Sequence, residues 1–156
     1  MKKNVSAAGK NIRKKAIHAP AVLNEPVQYD RPVSFSRGMR IELGAFSLIL
    51  ISGTASVNEQ GKSVHAGDIL AQSRRTFNNI AALLESEGAS WKDVVRTTCY
   101  LKDMRDYGAF NKIRNQFYVK QKLNPFPAST CIEAGLCRPE LLVEIEVIAI
   151  IGRADK

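Results

Sequence analysis

Two carboxylates interrupt an apolar run near the C-terminus, Val143-Glu144-Ile145-Glu146-Val147-Ile148-Ala149-Ile150. Read as a strand, period two puts Val143, Ile145, Val147 and Ala149 on one side and Glu144, Glu146, Ile148 and Ile150 on the other. The two acidic Cα atoms then lie about 6.6 Å apart, at about 3.3 Å per residue. Both faces are partly apolar, so each needs an apolar partner, and a single sheet under one helical layer supplies only one. A large uncovered apolar face marks an interface. The pattern therefore predicts a homo-oligomer whose sheets pack together, with Glu144 and Glu146 at or near the seam. A carboxylate in such a place must be paired or put to use; Glu144 is the functional candidate and Glu146 the structural one.

Other reactive side chains are few. Cys99, Cys131 and Cys137 are odd in number and have no CxxC spacing, which argues against a disulfide framework and a zinc site. His18 and His65 are the only histidines, so a metal site would need mostly carboxylates. The expectation is a reducing, cytoplasmic compartment and no metal.

Several elements must position these residues. Segments 39–43 and 46–52 read as a hairpin broken by Gly44 and Ala45, and Asn58-Glu59-Gln60-Gly61 as a turn. Asp68 opens a helix in which Ile69, Ser73, Phe77, Ile80, Ala81 and Leu84 recur at steps of three and four, with Gly88 as its stop. Trp91 follows as a core residue. Residues 94–101, rich in Val, Thr, Cys and Tyr, read as a strand. Asp106 is the expected cap of a second helix with the stripe Tyr107, Phe110, Arg114 and Phe117 and Asn111 beside it. Asn124-Pro125-Phe126-Pro127 stops that helix; 128–134 and 140–151 read as strands. The order β-β-α-β-α-β-β predicts an α+β or α/β sandwich with helices on one sheet face.

With 156 residues, 45% apolar and 24% charged, the chain suits one globular domain, not a disordered chain or a disulfide scaffold. Its apolar runs fall far short of the ~18 residues of a membrane-spanning helix, and no secretory leader is expected. The net charge of +8 is concentrated: residues 1–24 hold six Lys or Arg and no acid, whereas the rest holds 17 basic and 15 acidic side chains. A basic arm can attract nucleic acid or an anionic surface, but the near-balanced body disfavours a nucleic-acid partner. Only Ser6 among these residues bears a hydroxyl, which argues against a transit peptide. Pro20, Pro26 and Pro32 predict extended linker. Residues 1–31 are thus expected as a basic, partly mobile arm and linker, and 32–152 as the domain.

Taken together, Ser52-Gly53-Thr54, Gly67-Asp68 with Gln72, Asn79-Ile80 and Leu84, Gly88-Ala89, Asp93-Val94-Val95-Arg96-Thr97-Thr98, Leu101-Lys102-Asp103-Met104 and Phe110-Asn111 resemble the first half of the RidA (YjgF) family, long described as endoribonuclease L-PSP. Phe126-Pro127-Ala128, Cys131-Ile132-Glu133 and the run from Val143 to Ala149 resemble its second half. The resemblance spans about residues 32–151. It implies a chorismate-mutase-like α+β fold, a mixed sheet with two helices on one face, and a homotrimer with an inner barrel and three clefts between subunits. It also implies hydrolysis of reactive enamines and imines, such as 2-aminoacrylate, to 2-keto acids and ammonia without metal or organic cofactor.

In that family an Arg two residues before the Cys forks onto the substrate carboxylate, and a Glu thirteen residues after it activates water. An N-terminal Tyr, a Ser in a Ser-Gly turn and an Asn on the second helix line the cleft. Here Cys131, Glu144, Ser52 and Asn111 match. Cys131, with no His beside it, is a lining residue and not a nucleophile; Ser129 and Thr130 lie next to it and would bind substrate with backbone groups there. But Ser129 occupies the Arg position, and Val33 the Tyr position. Losing a charged hydrogen-bond partner costs about 1.5–3 kcal/mol, or one to two decades in affinity. Arg37 and Arg138 are two candidate replacements. Ser34-Phe35-Ser36-Arg37 with Ser52-Gly53-Thr54-Ala55-Ser56 also resembles the RidA-like domain of chorismatases, which carry a further domain that this chain has no room for.

Three functions follow as expectations: a hydrolase or deaminase acting on a small carboxylate-bearing imine, enamine or related metabolite; a non-catalytic trimer binding such a metabolite; and, weakest, RNA binding or cleavage.

Overall fold

The computed structural model describes residues 12–29, 31 and 33–152. Six strands form one sheet in the order β1-β2-β3-β6-β4-β5. They are β1 (Arg13–Ala16), β2 (Gly38–Leu43), β3 (Phe46–Ala55), β4 (Val94–Leu101), β5 (Ala128–Glu133) and β6 (Val143–Gly152). Every pairing is antiparallel except β4 with β5, which run parallel and are joined through a helix. The mixed sheet carries two helices, α1 (Ile69–Glu85) and α2 (Tyr107–Lys120). Asp68 caps α1 by accepting from the Ala71 amide at 2.9 Å. Asp106 precedes α2 without a side-chain cap bond.

The core lies between the sheet and the helices. Ile49, Ile51, Cys99, Leu101, Val143, Ile145, Val147 and Ala149 supply the sheet side. Phe77, Ile80, Leu83 and Leu84 of α1 meet them, with Phe110 and Ile113 of α2. Phe77 stacks on Phe117 with ring centroids 4.8 Å apart, and Trp91 meets Phe117 edge-on at 5.3 Å. Burying each such side chain stabilises the fold by about 1.5–3 kcal/mol.

The opposite sheet face has no covering layer among the described residues. Ile148 is half-buried there, and Ile132 and Ile150 are 44% and 45% exposed. This is the side of β6 that bears Glu144 and Glu146, as the two-residue period requires.

Two features depart from the sequence reading. The expected arm and linker is partly built into the fold: β1 pairs with β2, and Ile17, Ala19 and Leu23 are buried in the core. All four β1 side chains are exposed, because backbone pairing at the sheet edge holds the strand and side-chain burial does not. Basic residues there leave no apolar alternation to read. Residues 1–11 of that arm lie outside the described residues. Ser52-Gly53-Thr54, expected as a turn, is instead a bulge inside β3. Its pairing with β6 jumps from Ile51↔Val147 to Thr54↔Ile145, so Ser52 and Gly53 together oppose Glu146. No described helix is long and apolar enough to cross a membrane.

Candidate functional site: two half-sites on opposite sheet faces

The first half-site is carboxylate-rich. Glu144 on β6 stands half-buried against the β3 bulge. Gly53 makes room for it, since a Cβ there would overlap the Glu144 carboxyl. Among the described residues this carboxyl has neither a hydrogen-bond donor nor a cation. Burial, and then the neighbouring Glu146, push its pKa above the ordinary carboxylate value. Glu146 is differently placed: the Tyr100 hydroxyl donates to its Oε1 at 3.1 Å. Burial and then that bond to the carboxylate raise the Tyr100 pKa in turn. A crevice of about 270 Å³ opens here, lined by Gly53, Tyr100, Glu144, Glu146 and residues 134–137, with no Lys or Arg in its wall. A carboxyl whose pKa is raised by burial, facing open space, is suited to take a proton from water and return it.

The second half-site centres on α2 and β5. Parallel pairing sets Thr97 beside Ser129 and Cys99 beside Cys131. The Thr97 hydroxyl donates to Ser129 Oγ at 2.9 Å. Arg114 reaches across from α2: Nη1 donates to Ser129 Oγ at 3.3 Å, and Nη2 to Asn111 Oδ1 at 2.6 Å and the Tyr107 hydroxyl at 3.4 Å. Burial pushes the Cys99 thiol up to about 11. Burial also raises Cys131, with Arg114 pulling the other way. Neither thiol is poised as a thiolate.

The remaining candidates fall elsewhere. Arg37 is buried and spent on the N-terminal segment, donating to the Asn24 carbonyl at 2.5 Å and the Tyr29 hydroxyl at 2.7 Å, with its guanidinium 5.5 Å from the Tyr29 ring centre. Arg138 donates to the Gly61 carbonyl at 2.7 Å and to Ser63 Oγ at 3.1 Å, tying down a turn. Ser52 Oγ donates to the Ser36 carbonyl at 2.7 Å. Thr130 points away from the helices and accepts from Arg96 at 3.2 Å. Sequence reasoning missed three participants: Gly53 as the notch for Glu144, Tyr100 as the partner of Glu146, and Arg114. The signal for Arg114 was its place three residues after Asn111, one helical turn along the same face.

Register separates the halves. Glu144, Tyr100 and Ile132 are cross-strand partners, as are Cys99 and Cys131 one residue away. Adjacent residues point to opposite faces. Cys99 is fully buried under the helices, so Ser129 and Cys131 face the helix side and Glu144 faces the uncovered side. Within one chain the carboxylate and the Arg114 cluster cannot meet.

The chain and its fold match known proteins. Residues 30–151 fit the family model described as Endoribonuclease L-PSP. The chain belongs to this family. A RutC family protein of Haemophilus influenzae is 36% identical over 110 residues, spanning 70% of this chain and 82% of the relative. Another RutC family protein, from Pyrococcus abyssi, is 34% identical over 109 residues, spanning 70% and 81%. The crystal structure of the YjgF gene product of Escherichia coli superposes with a TM-score of 0.70 at 28% identity, covering 87% of this chain and 98% of that one. The L-PSP family fold thus accounts for the mixed sheet with two helices. In this L-PSP family chain the neutral Ser129 has a guanidinium from α2 lying against it.

Proposed function

We propose that this L-PSP family chain is a hydrolase of small carboxylate-bearing imines or enamines, working as a homotrimer in a cytoplasmic setting, in clefts between subunits. The uncovered apolar sheet face would form the inner barrel. Each cleft would take Glu144 from one subunit and the Ser129–Cys131 edge from the next, which is the only way both can face one ligand. The observation that carries the reading is the Glu144 carboxyl: half-buried, unpaired among the described residues, and fitted against a glycine that nothing larger could replace without moving it.

The chemistry balances simply. Glu144 accepts a proton from water as the oxygen bonds to the imine carbon. It passes that proton to nitrogen, and as the C–N bond breaks the remaining hydroxyl proton moves to nitrogen through the same carboxylate, leaving a keto acid and ammonia; an enamine first shifts a proton from nitrogen to its β-carbon to become the imine. The test is ammonia release from enzymatically generated 2-aminoacrylate. Wild type is expected to accelerate it and Glu144→Gln to abolish the acceleration; no acceleration by wild type rejects this activity. Ser129, with no charge of its own at the family's arginine position, favours one other reading, binding without turnover, in which a small carboxylate occupies the cleft and is released unchanged.

A further inference from the structure

The arginines of this chain are used in very different ways. Arg40 pairs with Glu42 and Glu87, Arg75 with Glu59, and Arg105 with Asp103. Arg37 and Arg138 are absorbed by backbone carbonyls and hydroxyls. Arg114 differs. Its side-chain oxygen partners on Asn111, Ser129 and Tyr107 are all neutral, and no carboxylate lies within ion-pair reach among the described residues. It is also held in place: its guanidinium carbon lies 5.3 Å from the Phe110 ring centre and 5.9 Å from that of Tyr107. It stays accessible, because Ser129 and Tyr107 are exposed and Arg114, Asn111 and Cys131 only half-buried. A fixed, uncompensated cation beside a free-standing edge is prepared to receive an anion.

We propose that Arg114 is the specificity-determining cation of the cleft, receiving a planar monocarboxylate in its fork beside the Ser129 hydroxyl. The short side chain at 129 is what admits it; an arginine at 129 would have to claim the space that the Arg114 guanidinium now fills. The assignment rests on reading the cleft as a carboxylate site. The competing cation is Arg96, which is exposed, stands on the other face of the sheet, and makes one 3.2 Å bond to Thr130. A single loose contact leaves its fork free to wander, whereas three acceptors and two rings fix that of Arg114.

The experiment is calorimetric or NMR titration of the full chain with pyruvate and with neutral pyruvamide, for wild type, Arg114→Gln, Arg114→Lys and Arg96→Gln. Wild type is expected to prefer pyruvate by about tenfold or more. Arg114→Gln should lose about 10- to 100-fold in pyruvate affinity while pyruvamide binding moves less than about threefold, so the preference disappears. Arg114→Lys should keep part of it and Arg96→Gln all of it. Full preference retained in Arg114→Gln, or lost in Arg96→Gln, overturns the assignment and leaves the carboxylate reading standing. No preference in wild type overturns both, and that comparison needs no variant to fold.

Discussion

The crevice at Glu144 and the edge at Arg114 are mirror cases. In the first, two carboxyls share a wall that holds no cation; burial and mutual repulsion push the Glu144 pKa up. In the second, a guanidinium is anchored by neutral oxygens with no anion near it. Each would be an expensive way to build a stable surface, because a partly buried charge without a counter-charge gains little back from its surroundings. Fold stability is secured elsewhere, in the Phe77–Phe117–Trp91 stack and the apolar inner row of β6. The contrast teaches that one chain keeps its unpaired acid and its unpaired cation apart. The proposed clefts would make them complementary by bringing the Glu144 side of one subunit to the Ser129 edge of the next.

The strongest way to break that picture is at Glu144. Glu144→Gln is expected to lower ammonia release by about 10²- to 10⁴-fold. It should also stabilise the fold at neutral pH. The native pKa of Glu144 lies above its ordinary value, so the native state holds a proton that the unfolded chain has released. Wild type therefore loses stability relative to the variant as pH rises through the range above 4.5. Denaturant unfolding from pH 4 to 8 reads this directly; a destabilised variant at pH 7 would mean that Glu144 has a structural partner.

Pairing the halves across subunits sharpens the comparison. Glu144→Gln and Arg114→Gln chains, unfolded together in equal amounts and refolded, should recover about a quarter of wild-type turnover, the fraction of seams that unite two intact halves. Recovery no greater than that of the separate variants would place both halves in one chain and refute the two-face argument. Gly53→Ala comes next. Its methyl group must displace the Glu144 carboxyl, so turnover should fall by about 10- to 100-fold, while the unfolding free energy moves by less than about 1.5 kcal/mol because only a side-chain end has to shift. The smallest effect belongs to Tyr100→Phe, which removes the bond to Glu146. It should cost about 1 kcal/mol of stability and leave turnover within a few-fold, measured by the same two assays.

How much of this was legible in the chain differs residue by residue. The two faces of β6 were readable because alternation needs only neighbours in sequence, and the cap at Asp68 and the stripe of α1 were readable for the same reason. β1 was not, since an edge strand is held by main-chain hydrogen bonds to which Arg13, Lys14 and Lys15 contribute no apolar signal. The candidate cations Arg37 and Arg138 looked suitable by proximity to the matching motifs, yet both are committed to the main chain of distant segments. Arg114 was visible only as a member of a helical stripe.

The amino-acid sequence by itself determined the family, the order of most elements, and the placing of Glu144 on a sheet face that the chain does not cover. Those properties follow from local periodicity and from motifs whose residues are close along the chain. Tertiary structure alone decided which cation stands beside Ser129, that Gly53 is a notch and not a turn, and that the acid and the cation occupy opposite faces. Each of these depends on strand register and on a helix crossing a parallel pair, and contacts between residues 15 to 91 positions apart leave no trace in local pattern.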